Sequence, residues 1–285
     1  MRHIWRNAFA AISFFIATLI STVALAQDVP MTLGLIPHMA ATDMAHRFKP
    51  LSDYLSQKIG RSVELKLYKH FEGLMGDIGE GKVDIAFLGP VPYIQITKRY
   101  GPVPILARTE ISGLTGFHGV IFVRNDSPAR TISDLRGAHF ASVSRFSTMD
   151  LLAQAMMIDV GVPISELPPQ QSLGSHQNVA LGVLVGDFDA GCVKQDVFDR
   201  YADRGLRKLA DTSTVPEHIF ATNNHMPQQL VQALRQAFLD MNDSAEGRSV
   251  MRQVNTEMTA MRPASDPDYD ELRRLLSLLE GNLLH

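Results

Sequence analysis

The feature that most constrains this chain is a hydrophobic period that switches repeatedly between two and about three and a half. Met31-Thr-Leu-Gly-Leu-Ile36 is a short apolar run. Residues 45–59 then place Phe48, Leu51, Tyr54, Leu55 and Ile59 on one helical face. Val63-Glu-Leu-Lys-Leu-Tyr68 alternates, 71–80 is helical and ends in glycine, and Val83-Asp-Ile-Ala-Phe-Leu88 reads as a buried strand. Strand, helix, strand, helix, strand predicts an α/β architecture with a mainly parallel sheet.

The pattern resumes further on. Gly119–Arg124 reads as a strand, Thr131–Gly137 as a short helical turn, 139–144 as a strand and 148–159 as a helix. A helix at about 176–186 and a buried strand, Phe188–Val193, complete this second unit. After Ile219-Phe-Ala-Thr222 the chain reads as helical nearly to its end. No repeat, low-complexity tract or glycine/serine linker separates the units, which predicts two α/β lobes joined by crossing strands.

The first residues read differently. Arg2 and Arg6 precede a long apolar run that ends in Ala24-Leu25-Ala26. Basic start, apolar centre and small-x-small end are the marks of a secretory signal peptide over 1–26, cleaved near Ala26. The protein is then expected in the periplasm, soluble and monomeric. A net charge of −3 gives no footing for nucleic acid. The single cysteine, Cys192, rules out an intramolecular disulfide.

Motifs for catalysis are missing. Gly76-Asp-Ile-Gly-Glu-Gly81-Lys82 imitates a phosphate loop, but Val83 stands where Ser or Thr belongs. The glycines fit a helix C-terminus better. Ten histidines form no metal signature, and His38, His46 and His70 are separately placed. No metal, cofactor or enzymatic activity is expected. The informative stretch is Arg145-Phe-Ser-Thr-Met-Asp150, where a strand-like run gives way to a helix. Ser147 and Thr148 sit at that helix start, where free N–H groups and hydroxyls can hold an anion or simply cap the helix. Gly174-Ser-His176 is a second polar helix start. In an α/β lobe such turns share one sheet edge, which favours a binding cleft.

Taken in order, several segments resemble the periplasmic binding proteins of phosphonate/phosphate/phosphite importers. They are 48–55, Gly81–Gly89, Val123–Pro128, Ser133–Gly137, Phe146-Ser-Thr148, Gly174-Ser-His176 and Gly186–Gly191. The resemblance implies a two-lobed type II binding-protein fold that closes on a small ligand by hinge motion. It implies lobe 1 over 27–113 plus 216–285 and lobe 2 over 114–215.

In this family the oxyanion lies on a Ser-Thr-Ser-Gly turn, helped by a histidine and two tyrosines. The resemblance assigns Ser147 and Thr148 to that turn and His176 to the histidine. Asp196 and His218 fall where phosphonate binders place acids for an amino group. Met149 and Asp150 replace the turn's serine and glycine, and Phe71 and Phe117 replace the tyrosines. Arg145 can supply a compensating cation. The ligand expected is a small oxyanion other than a typical aminoalkylphosphonate. The partner expected is an inner-membrane importer permease or, alternatively, a sensor histidine kinase, for instance for arsenite. In that alternative the Cys192 thiol would contact a soft ligand.

Overall fold

The computed structural model describes residues 29–36, 41–144, 146–169 and 171–283. The segment read as a signal peptide, His38 and Arg145 lie outside the described residues.

Strand β1 (Met31–Leu35) is buried at every position except Thr32, as a strand covered on both faces must be. Helix α1 (Ala41–Ile59) turns Met44, Phe48, Leu51, Tyr54 and Leu55 inward. β2 (Val63–Leu67) lies parallel to β1, α2 (Phe71–Gly79) follows, and β3 (Ile85–Leu88) lies parallel on the other side of β1. Then come α3 (Pro90–Tyr100), β4 (Ile105–Ile111), β5 (Gly116–Phe117), β6 (Gly119–Arg124) and β7 (Phe140–Ala141). α4 (Thr148–Asp159), α5 (His176–Val185), β8 (Ala190–Lys194), α6 (Gln195–Ala202) and β9 (Leu206–Asp211) follow. The chain ends through β10 (Val215–Pro216), β11 (Ile219–Thr222), α7 (Gln228–Asp240), α8 (Ala245–Val254), β12 (Met258–Arg262) and α9 (Asp270–Leu283).

A six-stranded sheet runs β12-β4-β11-β3-β1-β2, and a four-stranded sheet runs β7-β8-β6-β9. Between them in sequence, β5 and β10 form an antiparallel pair. The sheets are mixed, which corrects the expectation of mainly parallel ones. β11 is antiparallel to both β3 and β4, and β12 is antiparallel to β4. In the smaller sheet only β7 and β8 run parallel. β11 enters the larger sheet directly from β10, against the direction of β3, so its ladders are antiparallel. A second correction concerns the tail. The region after 222 is interrupted by β12, an edge strand whose register is set by pairing with β4.

The phosphate-loop look-alike is the end of α2. The Glu80 N–H donates to the Gly76 carbonyl, and Gly81 takes a φ of +75°. A Cβ on Gly81 would also lie 2.8 Å from the His225 ring. One apolar cluster reaches from Leu74, Val83 and Val91 around the larger sheet to Ile121, Phe140, Met149 and Cys192 around the smaller. Leu272, Leu276 and Leu279 of α9 join the same cluster, and α9 packs against α4. Among the described residues no helix is long and apolar enough to cross a membrane.

Candidate functional site

The turn before α4 is built from the inside. Ser147 is the N-cap, and its hydroxyl accepts from the Asp150 N–H at 3.4 Å. The same hydroxyl also acts on the Asp150 carboxyl, whose ionised form it favours. Thr148 follows, 8% exposed, and no described residue engages its hydroxyl. Asp150, 1% exposed, points back under the turn. Its Oδ2 accepts from the Ser142 hydroxyl at 2.8 Å, the Val143 N–H at 2.8 Å and the Ser144 N–H at 3.1 Å. Burial drives its carboxyl up to about 7, against the pull of those donors. Met149 also faces inward, 1% exposed. A Cβ on Gly119 would stand 2.5 Å from the Met149 sulfur and 3.0 Å from the Cys192 sulfur. These three residues lock α4 onto β6 and β8.

Cys192 is fully buried, and burial together with nearby Asp150 pushes its thiol well above the ordinary range. It therefore sits as a small apolar filler. Among the described residues no group of histidine, cysteine and carboxylates could hold a metal ion.

Two further groups flank this turn. Phe71 opens α2 and brings its ring to 6.3 Å from that of Phe146, immediately ahead of the Ser147 cap. It joins an element of the larger sheet to the turn of the smaller one. The second group centres on His218, between β10 and β11. Its ring stacks on Phe87 at 5.3 Å and lies 5.6 Å from Phe117. Nδ1 stands 2.9 Å from Glu217 Oε2, which also accepts the His218 N–H at 2.9 Å. Glu217 Oε1 accepts from Lys194 Nζ at 2.9 Å, and that ammonium lies 3.9 Å from the Phe117 ring centroid. Burial opposes ionisation of Glu217. The Lys194 ammonium and His218 outweigh it and hold the carboxyl well below its usual range. Burial and Lys194 lower His218 below the ordinary imidazole value, against the opposing effect of Glu217.

The structure thus brings Phe71 to the turn that holds Ser147, Thr148 and Met149, and Phe117 to His218. Gly119, two residues from Phe117, links the two groups through Met149. His176 opens α5, capped by Ser175, and is half-buried. Asp196 stands apart: it is exposed and pairs with Arg200 one helical turn along α6 at 3.3 Å. Sequence reasoning missed Lys194, Glu217, Phe87 and Phe146. Glu217 adjoins His218 in the sequence, which was a usable signal. Lys194 is one of 27 basic residues and offered none.

Two mixed α/β sheets joined by short crossing strands, with the capped start of α4 and aromatic rings at their junction, define a two-lobed solute-binding protein. The comparisons give the particular family. Residues 33–269 match the family described as ABC transporter, phosphonate, periplasmic substrate-binding protein, and the chain belongs to it. It is a periplasmic transport component and not an enzyme. A phosphate-import protein, PhnD, of Mycolicibacterium smegmatis is 25% identical over 282 residues, covering 90% of this chain and 87% of that protein. The phosphonates-binding periplasmic protein of Escherichia coli is 19% identical, covering 92% and 80%. The fold is shared with PhnD1 from Prochlorococcus marinus in complex with methylphosphonate. There the TM-score is 0.76 at 17% identity, over 88% of this chain and 98% of that one.

Proposed function

We propose that the protein captures a small, weakly charged oxyanion of the phosphite, phosphate or simple phosphonate type and hands it to its importer. An aminoalkylphosphonate is not the ligand. Asp150 carries this reading. Its buried carboxylate takes the Val143 and Ser144 N–H groups and the Ser142 hydroxyl from within, so fewer donors face a ligand. Above about pH 7, where the Asp150 carboxyl is ionised, its negative charge beneath the turn also works against a dianion. Thr148 offers its hydroxyl to the ligand, Ser147 shares one between the ligand and the Asp150 contacts of its own turn, and His176 adds a donor. Phe71 and Phe117 supply apolar walls where phenols would donate.

The amine end points the same way. Asp196 is committed to Arg200 at the surface, and His218 offers no carboxylate. The similar proteins are named for phosphate and methylphosphonate among their ligands, and neither carries an amine. Lobe 1 would comprise 27–113 plus 216–285 and lobe 2 114–215, closing about the β5–β10 crossing. A signal peptide cleaved near Ala26 would deliver the mature chain to the periplasm. Calorimetry with phosphate, phosphite, methylphosphonate and 2-aminoethylphosphonate tests the reading. One of the first three should bind most tightly; tightest binding of 2-aminoethylphosphonate would overturn it.

A further inference from the structure

The surroundings of His218 fix what each ring nitrogen can do. The Glu217 side chain is 4% exposed and its carboxylate is fully engaged. Lys194 donates to Oε1, while the His218 backbone N–H and ring Nδ1 both meet Oε2. A carboxylate oxygen at 2.9 Å from Nδ1 can only accept, so Nδ1 carries the proton. In the neutral imidazole Nε2 then holds a lone pair. Turning the ring over would set a carbon against the carboxylate, and the rings of Phe87 and Phe117 restrict that motion. Nε2 lies 3.5 Å from where a Cβ would stand on Gly89, so the missing side chain there leaves space beside it. The His218 side chain is 28% exposed, and no described residue hydrogen-bonds Nε2. The Lys194 charge is spent on Glu217 and is not free to serve as a ligand's counter-ion.

We propose that His218 is a specificity-determining residue whose Nε2 accepts a hydrogen bond from a hydroxyl on the ligand, selecting oxyanions that retain an acidic proton. The favoured chemistry is a singly protonated phosphonate, phosphite or phosphate. A sulfonate has a similar tetrahedral shape and charge but no proton near neutral pH. Its oxygen would face the Nε2 lone pair and leave both acceptors unpaired. A site built to hydrogen-bond a ligand hydroxyl rejects the analogue lacking it far more strongly than an apolar wall rejects a methylene. This inference rests on the oxyanion reading above and names the feature of the oxyanion that is read.

Calorimetry on the full chain near neutral pH, with methylphosphonate and methanesulfonate, decides the matter. Methylphosphonate is expected to bind about a hundredfold more tightly. His218→Phe keeps a ring between Phe87 and Phe117 without a nitrogen and should abolish most of that preference. Glu217→Gln leaves the imidazole in place but releases its tautomer, and should raise methanesulfonate affinity. Thermal unfolding of each variant confirms that it is folded. Equal affinity of the natural protein for the two compounds, or an undiminished preference in both variants, overturns this inference and leaves the oxyanion reading standing. Binding of neither compound, nor of phosphite or phosphate, overturns both.

Discussion

Asp150 and Cys192 show how much depends on which way one side chain turns. In the sequence, Met149 and Asp150 read as altered ligand positions, because both follow a recognisable helix start. Whether a first-turn residue looks outward or beneath the turn depends on the strands packed behind it, and those are remote in sequence. Ser147 was legible because a hydroxyl standing where a strand-like run gives way to a helical one is a local signal; the inward course of Asp150 was not. Its raised carboxyl has a stability consequence with a definite sign. The folded value of about 7 lies above the ordinary Asp value of about 4. Its contribution is therefore complete below about pH 4 and is lost as the pH rises through about 7, by an amount on the order of a few kcal/mol. Asp150→Asn can place its oxygen on the same donors and should flatten urea-midpoint curves across that window; parallel curves for the two proteins would refute the assignment. Above about pH 7, where the carboxyl is ionised, the same substitution removes the charge under the turn and should strengthen binding of dianionic phosphate. For Cys192, full burial predicts that Cys192→Ser lowers stability by about 1–3 kcal/mol, through a hydroxyl without a polar partner. Ligand affinity should not change, and a large loss of affinity in a folded variant would restore a ligand role for the thiol.

At the scale of elements, α4 carries both the cap and the proposed ligand hydroxyl on one residue. Ser147 accepts through its oxygen and can donate through its proton, so stability and binding can be separated by the choice of substitution. Ser147→Ala should cost about 1 kcal/mol of stability as well as affinity, whereas glycine, itself a tolerated cap, should cost only a few tenths. Ser147→Gly should therefore weaken oxyanion binding in calorimetry while leaving the denaturation midpoint nearly fixed. If glycine leaves affinity intact, Ser147 is a cap alone. The strands of the first unit were legible because β3 is a continuous apolar run and β1 one interrupted only by Thr32 and Gly34. β12 was not: Met258-Thr-Ala-Met-Arg262 favours helix by composition, and only its ladder with β4 makes it a strand. β4 and β9 carry charged residues within their runs and gave no clear period.

For the whole molecule, the ordered set of short segments made the two-unit α/β plan readable, while the antiparallel ladders of β11 depend on pairings too distant for any local pattern. The same return of the chain sets Lys194, at the end of β8 in the smaller sheet, against Glu217, which leads into β11 of the larger. Their side chains are 22% and 4% exposed, so each charge has given up most of its water and depends on the other. Such a pair adds little over an apolar substitute, but losing one member strands the other. Lys194→Met should thus cost about 3–5 kcal/mol by leaving the Glu217 carboxylate uncompensated. The double variant with Glu217→Gln should recover a large part of that loss. Acid acts on the same bond. The depressed Glu217 carboxyl contributes stability that is present above the ordinary Glu range of about pH 4 and is lost as the pH falls through the lower folded value. Lys194→Met should blunt that acid-side loss in urea titrations. A double-mutant cycle with no coupling between the two sites would show that the sheets are held together without this pair, and that the crossing strands alone set their hinge.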